Sequence, residues 1–147
     1  MQTKYDYVIG IDTGVNTGYA VYNPKEKNLE VVSTIAIDKA MEEILAFVDS
    51  DYSILVVVED ARLRKFFRGE NMQAKQQGAG SIKRDAKIWE DFLKRKNIDY
   101  KMVNPTSRKT KINKYYFQKL TGYKGNTSEH GRDAAMLVFG HNGMNIN

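Results

Sequence analysis

The chain has no cysteine. That excludes disulfides, Cys-ligated zinc and thiol catalysis, so the fold must be held by packing alone. Proline occurs only as Pro24 and Pro105, each just past a predicted strand. No apolar run approaches the roughly 20 residues of a membrane span, and the opening residues, MQTKYDY, contain no apolar signal-type core. The expectation is a cytoplasmic protein with no membrane contact. Hydrophobic residues make up 41% and aromatics 11% of the 147 residues. That is enough for one domain with a real core, and it argues against wholesale disorder.

Charge is unevenly spread. Residues 1–59 carry 4 Lys/Arg against 10 Asp/Glu, residues 60–122 carry 17 against 6, and residues 123–147 carry 2 against 2. The middle segment therefore has a net charge of +11, more than solubility requires. A polyanion, most simply nucleic acid, is the partner such a segment implies.

Apolar runs define the expected elements. Residues 5–12 form a strand that ends on Asp12, and a turn rich in Gly, Thr and Asn leads into a second strand at 17–23, making a hairpin. The glycines of that turn let backbone pass close to whatever Asp12 binds. A third strand is expected at 29–37, then a helix from a capping Asp38 to Val48 with Met41, Ile44, Leu45 and Val48 as its apolar stripe. The run Ile54-Leu55-Val56-Val57-Val58 is the most strand-like in the chain and ends on Glu59. Reached through a helix, it should lie parallel to the first strand, setting Glu59 beside Asp12. Acids are common at strand ends. Two of them side by side repel, however, unless a cation lies between them.

The basic segment follows. Arg62, Arg64, Lys65 and Arg68 flank Phe66 and Phe67 in a predicted loop, where the aromatic rings suit either core packing or stacking on bases. A long helix is expected over 72–96, with Ile82, Ala86, Trp89 and Leu93 inward and Lys83, Arg84 and Lys87 mostly off that stripe. Its Gly78-Ala79-Gly80 predicts either a kink or the close approach of another backbone. A short strand at 99–103 precedes Arg108, Lys109 and Lys111, whose company of hydroxyls at a helix start suits phosphate oxygens. That helix should bury Ile112, Tyr116 and Leu120. Residues 122–128 read as a flexible link. The last helix, 129–139, is apolar after an opening turn in which His130 and Asp133 share one side at i, i+3.

IGIDTGVNTGYAV, ILVVVED, QQGAGSIKRDAKIWEDFL, NPTSRKTK and HGRDAAMLVF, taken in this order, resemble the RuvC-type Holliday-junction resolvases of the RNase H-like superfamily. The short length and divergent middle are similar to the bacteriophage-encoded members, which act in a bacterial host cell. The resemblance implies an α/β RNase H-like fold in a single domain spanning 1–147. Its five-stranded mixed sheet would have the first three strands antiparallel, with helices on its faces. It also implies a homodimer joined through the long helix, acting on branched DNA, four-way junctions above all, by paired nicks. Asp12, Glu59, His130 and Asp133 would hold two Mg²⁺ ions, for which Mn²⁺ can substitute, and Lys111 would stand at the scissile phosphate. The family commonly has a carboxylate where this chain has His130, which leaves that residue as either ligand or proton acceptor.

Two carboxylate-held divalent ions about 3.5–4 Å apart activate a water and stabilise the leaving oxygen in phosphodiester hydrolysis, and hard oxygen ligands suit Mg²⁺. Three rivals remain. One is a non-catalytic nucleic-acid-binding module on the same fold. Another is an RNase H acting on RNA–DNA hybrids. The third is a sugar-kinase or actin-like ATPase, whose two lobes 147 residues would not supply; no nucleotide cofactor is therefore expected.

Overall fold

A computed structural model describes residues 3–63, 72–105 and 112–146. Arg64, Lys65, Phe66, Phe67, Arg68, Arg108, Lys109 and Lys111 lie outside the described residues, as does the side chain of Ile82. The protein is α/β. Its five strands are β1 (Tyr7–Asp12), β2 (Asn16–Asn23), β3 (Asn28–Ala36), β4 (Ile54–Glu59) and β5 (Asp99–Val103). They form one mixed sheet in the order β3-β2-β1-β4-β5. β1, β2 and β3 are antiparallel neighbours, while β1, β4 and β5 run parallel. Four helices flank the sheet: α1 (Ile37–Asp49), α2 (Met72–Arg95), α3 (Lys114–Thr121) and α4 (Glu129–Val138).

The unbroken apolar run of β4 has a physical reason: strand alternation sends its side chains to two different cores. Ile54, Val56 and Val58 join Ile9, Ile11, Trp89 and Leu93 on one face; Leu55 and Val57 join Val8, Phe117, Ala134 and Val138 on the other. Ala86, Trp89 and Leu93 are buried as their spacing predicts. α2 runs unbroken through Gly78-Ala79-Gly80. A Cβ on Gly80 would meet nothing within 4 Å, so neither a kink nor a described neighbour accounts for that glycine.

Several local expectations are corrected. Asp38 does not cap α1. The helix starts two residues earlier than such a cap would place it, its N-cap position is Ala36 without a side-chain bond, and Asp38 lies in the first turn, where a carboxylate still favours the helix dipole. Of the apolar stripe expected on α1, Ile44 is buried and Met41 and Leu45 pack partly buried against the same core, joined by Ala40, while Val48 is exposed. In α3 the buried residue is Phe117, while Tyr116 and Leu120 face solvent. The phase is set by Asn113, whose side-chain oxygen accepts the Tyr116 N–H and so fixes where the helix begins.

Residues 122–128 are fastened rather than loose. The Arg132 guanidinium donates to the Thr127 carbonyl and hydroxyl, both at 2.9 Å, and to the Ile112 carbonyl at 2.9 Å. Ser128 caps α4 by accepting the Gly131 N–H, and its hydroxyl also bonds Thr34 on β3. The C-terminal residues are tied back as well. Tyr5 donates its N–H to the Gly143 carbonyl, and Gly143 donates to Nδ1 of His141. Burial pushes the His141 imidazole down, which keeps that nitrogen available to accept. Among the described residues, no helix is long and apolar enough to cross a membrane.

Candidate metal centre

The parallel pairing of β1 with β4 aligns Ile11 with Val58, so the next residues, Asp12 and Glu59, end adjacent strands at one sheet edge. Alternation decides their face. Ile9 and Ile11 belong to the core under α1 and α2, as do Val56 and Val58, so Asp12 and Glu59 stand on the opposite face, the one covered by α4. The antiparallel pairing sets Gly18 directly opposite Asp12.

The helix reaches this edge because the sheet has no side chains in its way. A Cβ on Gly10 would overlap the carbonyl oxygen of Ala134, and one on Gly18 would overlap that of His130. A Cβ on Gly131 would in turn meet the backbone N and O of Ser33 at 3.0 Å. Gly10 and Gly18 thus make room for the α4 backbone.

Seated there, α4 delivers its first two turns to Asp12. Nδ1 of His130 lies 3.1 Å from Oδ2 of Asp12. One ligand atom each from Asp12, His130 and Asp133 falls within 4.8 Å of the others, a spacing one metal ion can bridge. The Asp12 side chain is only 13% exposed, whereas that of His130 is 50% exposed. The group therefore opens to solvent from the helix side and is walled by the sheet on the other. A carboxylate can only accept, so the His130–Asp12 bond needs a proton on Nδ1. A cation held between the two would take that proton's place.

Of the acids the sequence singled out, the structure brings together Asp12, His130 and Asp133 and sets Glu59 on the neighbouring strand end, outside that three-residue group. The donor set of carboxylates and one imidazole fits a divalent cation without selecting among Mg²⁺, Mn²⁺ and Zn²⁺.

The basic residues fare differently. Lys83, Arg84 and Lys87 are exposed on α2, and Lys87 pairs with Asp91 at 3.0 Å. Arg62 is engaged internally. Its guanidinium bonds Asp60 at 2.8 Å and Glu90 at 3.0 Å, joining the segment after β4 to α2. Burial would raise the Asp60 carboxyl, but the Arg62 bonds outweigh it and hold the group below the usual carboxylate range. This ion network was not anticipated. Its only sequence signal was Asp60-x-Arg62 directly after a buried strand.

The chain matches no family model and no curated protein sequence.

Proposed function

We propose that this protein is a divalent-metal-dependent endonuclease of the RuvC type, built on an RNase H-like fold and resolving branched DNA, above all four-way junctions. The observation that carries the reading is the convergence of Asp12, His130 and Asp133 at one sheet edge, with Glu59 ending the adjacent parallel strand. The two strand-end acids are joined by a third acid and a histidine from a helix drawn tight onto the sheet, a donor set suited to divalent cations. The net +11 of residues 60–122 supports a polyanionic substrate.

When bound, two Mg²⁺ ions, or Mn²⁺ in their place, would supply an activated water and a stabilised leaving oxygen. Asp12, between Glu59 and the α4 pair, would hold both ions. Glu59 would complete one coordination sphere and Asp133 the other. His130, half exposed at the mouth of the site, would either ligate or take the proton of the attacking water. Water adds to phosphorus, the P–O bond to one sugar oxygen breaks, and that oxygen leaves with a proton. Lys111 would balance charge at the scissile phosphate. Opposed nicks in two strands need two such sites, which a homodimer joined along α2 would supply.

The test is a substrate panel in Mg²⁺: a synthetic four-way junction, a linear duplex of the same sequence and an RNA–DNA hybrid. Paired nicks on the junction, with little cutting of the duplex, support the reading. Preferential cutting of the hybrid would make the protein an RNase H. Binding without cutting, in Mg²⁺ and in Mn²⁺, would make it a binding module.

A further inference from the structure

Among the described residues, the outward face of α3 carries the most exposed pair of neighbouring aromatic side chains, and the proposed chemistry leaves it unused. Tyr115 is 70% exposed, Tyr116 54% and Leu120 42%. At 100° per residue, Tyr115, Tyr116, Lys119 and Leu120 fall on one continuous arc, with the buried Phe117 just beyond its Leu120 end. Exposing two tyrosines side by side forgoes burial that Phe117, one residue further on, obtains in full. The side chains are also arranged for more than solvation: the Lys119 ammonium lies 5.3 Å from the centroid of the Tyr115 ring.

The charge around this face indicates its partner. Residues 100–128 contain seven Lys/Arg (Lys101, Arg108, Lys109, Lys111, Lys114, Lys119 and Lys124) and no Asp or Glu. An aromatic face set in 29 residues without an acid repels cationic surfaces and complements phosphates. Flat rings with cations beside them match unpaired nucleic acid, whose bases stack while the backbone runs along the lysines. A paired duplex offers such rings no accessible base face.

The face is also fixed relative to the metal centre. Arg132, between His130 and Asp133 in α4, donates to the Ile112 carbonyl just before α3 and to Thr127 just after the segment that follows it. Asn113 and Gly122 cap the two ends of α3, the latter in the left-handed conformation at φ 75°. Rigid mounting of this kind suits a contact that must hold a strand in register with a reacting phosphate.

We infer that Tyr115 and Tyr116, with Lys119, form a stacking platform for unpaired bases of the nucleic acid whose backbone enters the Asp12 site. The inference rests on the nuclease reading for its geometry, but it can be measured without cleavage. Anisotropy of a fluorescein-labelled oligothymidylate of about 16 nucleotides, and of a matched duplex, is recorded in EDTA. The proteins compared are wild type, the double variant Tyr115→Ala/Tyr116→Ala and the double variant Tyr115→Phe/Tyr116→Phe. Both positions are exposed, so melting temperatures should agree and serve as the control for folding.

The expected result is a loss of roughly tenfold or more in single-strand affinity for the alanine pair, less than about twofold for the phenylalanine pair, and little change for duplex with either. A 2-aminopurine placed in the strand should be quenched by wild type and by the phenylalanine pair, and not by the alanine pair. Three results would overturn the inference: alanine variants that bind the single strand like wild type, an equal loss for strand and duplex, or a wild type that binds no single strand. The two readings fail separately. Tyrosine-dependent binding by a protein that cuts no junction would leave the platform and remove the nuclease, and junction cutting with tyrosine-independent binding would do the reverse.

Discussion

Nδ1 of His130 and Oδ2 of Asp12 are 3.1 Å apart although 118 residues separate them in sequence. The contact exists because α4 is seated on β1 and β2 at two glycines, and its consequence is a group of one histidine and two carboxylates in which His130 is exposed and Asp12 largely buried. Asp12→Asn keeps the shape of that group and removes one negative charge and one metal-binding oxygen. Divalent-ion affinity, measured by calorimetry with Mn²⁺, should fall by more than about 100-fold, beyond what loss of an outer-shell partner costs. An unchanged affinity would mean that Asp12 is no ligand.

Gly18 should tolerate no side chain. Gly18→Ala places a methyl group on the His130 carbonyl, so α4 must shift, at a cost of about 2–3 kcal/mol. A melting temperature lowered by roughly 10 °C, together with weakened Mn²⁺ binding, is the expected outcome. Wild-type stability in this variant would show that the helix is not seated on β2.

Gly80 should behave in the opposite way. It lies inside α2, exposed, with nothing within 4 Å of an added Cβ. Gly80→Ala should therefore stabilise the protein by about 1 kcal/mol in urea unfolding. Destabilisation of an oligomer by this change, seen as a concentration-dependent loss, would place a partner backbone at that glycine.

Removing Arg62 should cost more than removing a surface charge. Arg62→Met leaves Asp60 buried without its partner, a loss of about 3 kcal/mol at neutral pH. In wild type the folded Asp60 value is depressed. Its contribution is therefore present above the range where an unfolded Asp titrates and is lost as pH falls through the folded value. The gap between the two proteins should be widest near pH 7 and close below about pH 4. A gap independent of pH would remove the ion pair as its cause.

Tyr19→Phe is expected to be neutral or stabilising by about 1 kcal/mol, since the buried Tyr19 hydroxyl has no partner among the described residues. Burial, with the Glu43 charge adding to it, pushes that hydroxyl's titration upward. A clear destabilisation in urea unfolding would reveal a bond to the hydroxyl.

Much of the sheet was legible in the sequence because its signals are local. The run from Ile54 to Val58, the acids that end β1 and β4, and the parallel pairing that follows from a helical crossover could all be read one element at a time. The spacing of His130 and Asp133 on α4 was equally readable, and so were the inward residues Trp89 and Leu93 of α2. What failed depends on contacts between elements. The phase of α3 is set by the Asn113 cap and by Phe117 meeting the second core, so Tyr116 and Leu120 turned outward against their apolar character. The role of Gly10 and Gly18 could not be seen before α4 was placed over them. Arg62 read as a cation for phosphate because its partner Glu90 lies 28 residues away on another helix.

The most direct test of the nuclease proposal incubates a synthetic four-way junction with wild type and with Asp12→Asn, each in Mg²⁺ and in EDTA. Paired nicks across the junction with wild type in Mg²⁺, and none in the other three reactions, are the predicted result. An intact junction with wild type in Mg²⁺, or nicking that persists in EDTA or with Asp12→Asn, would contradict it.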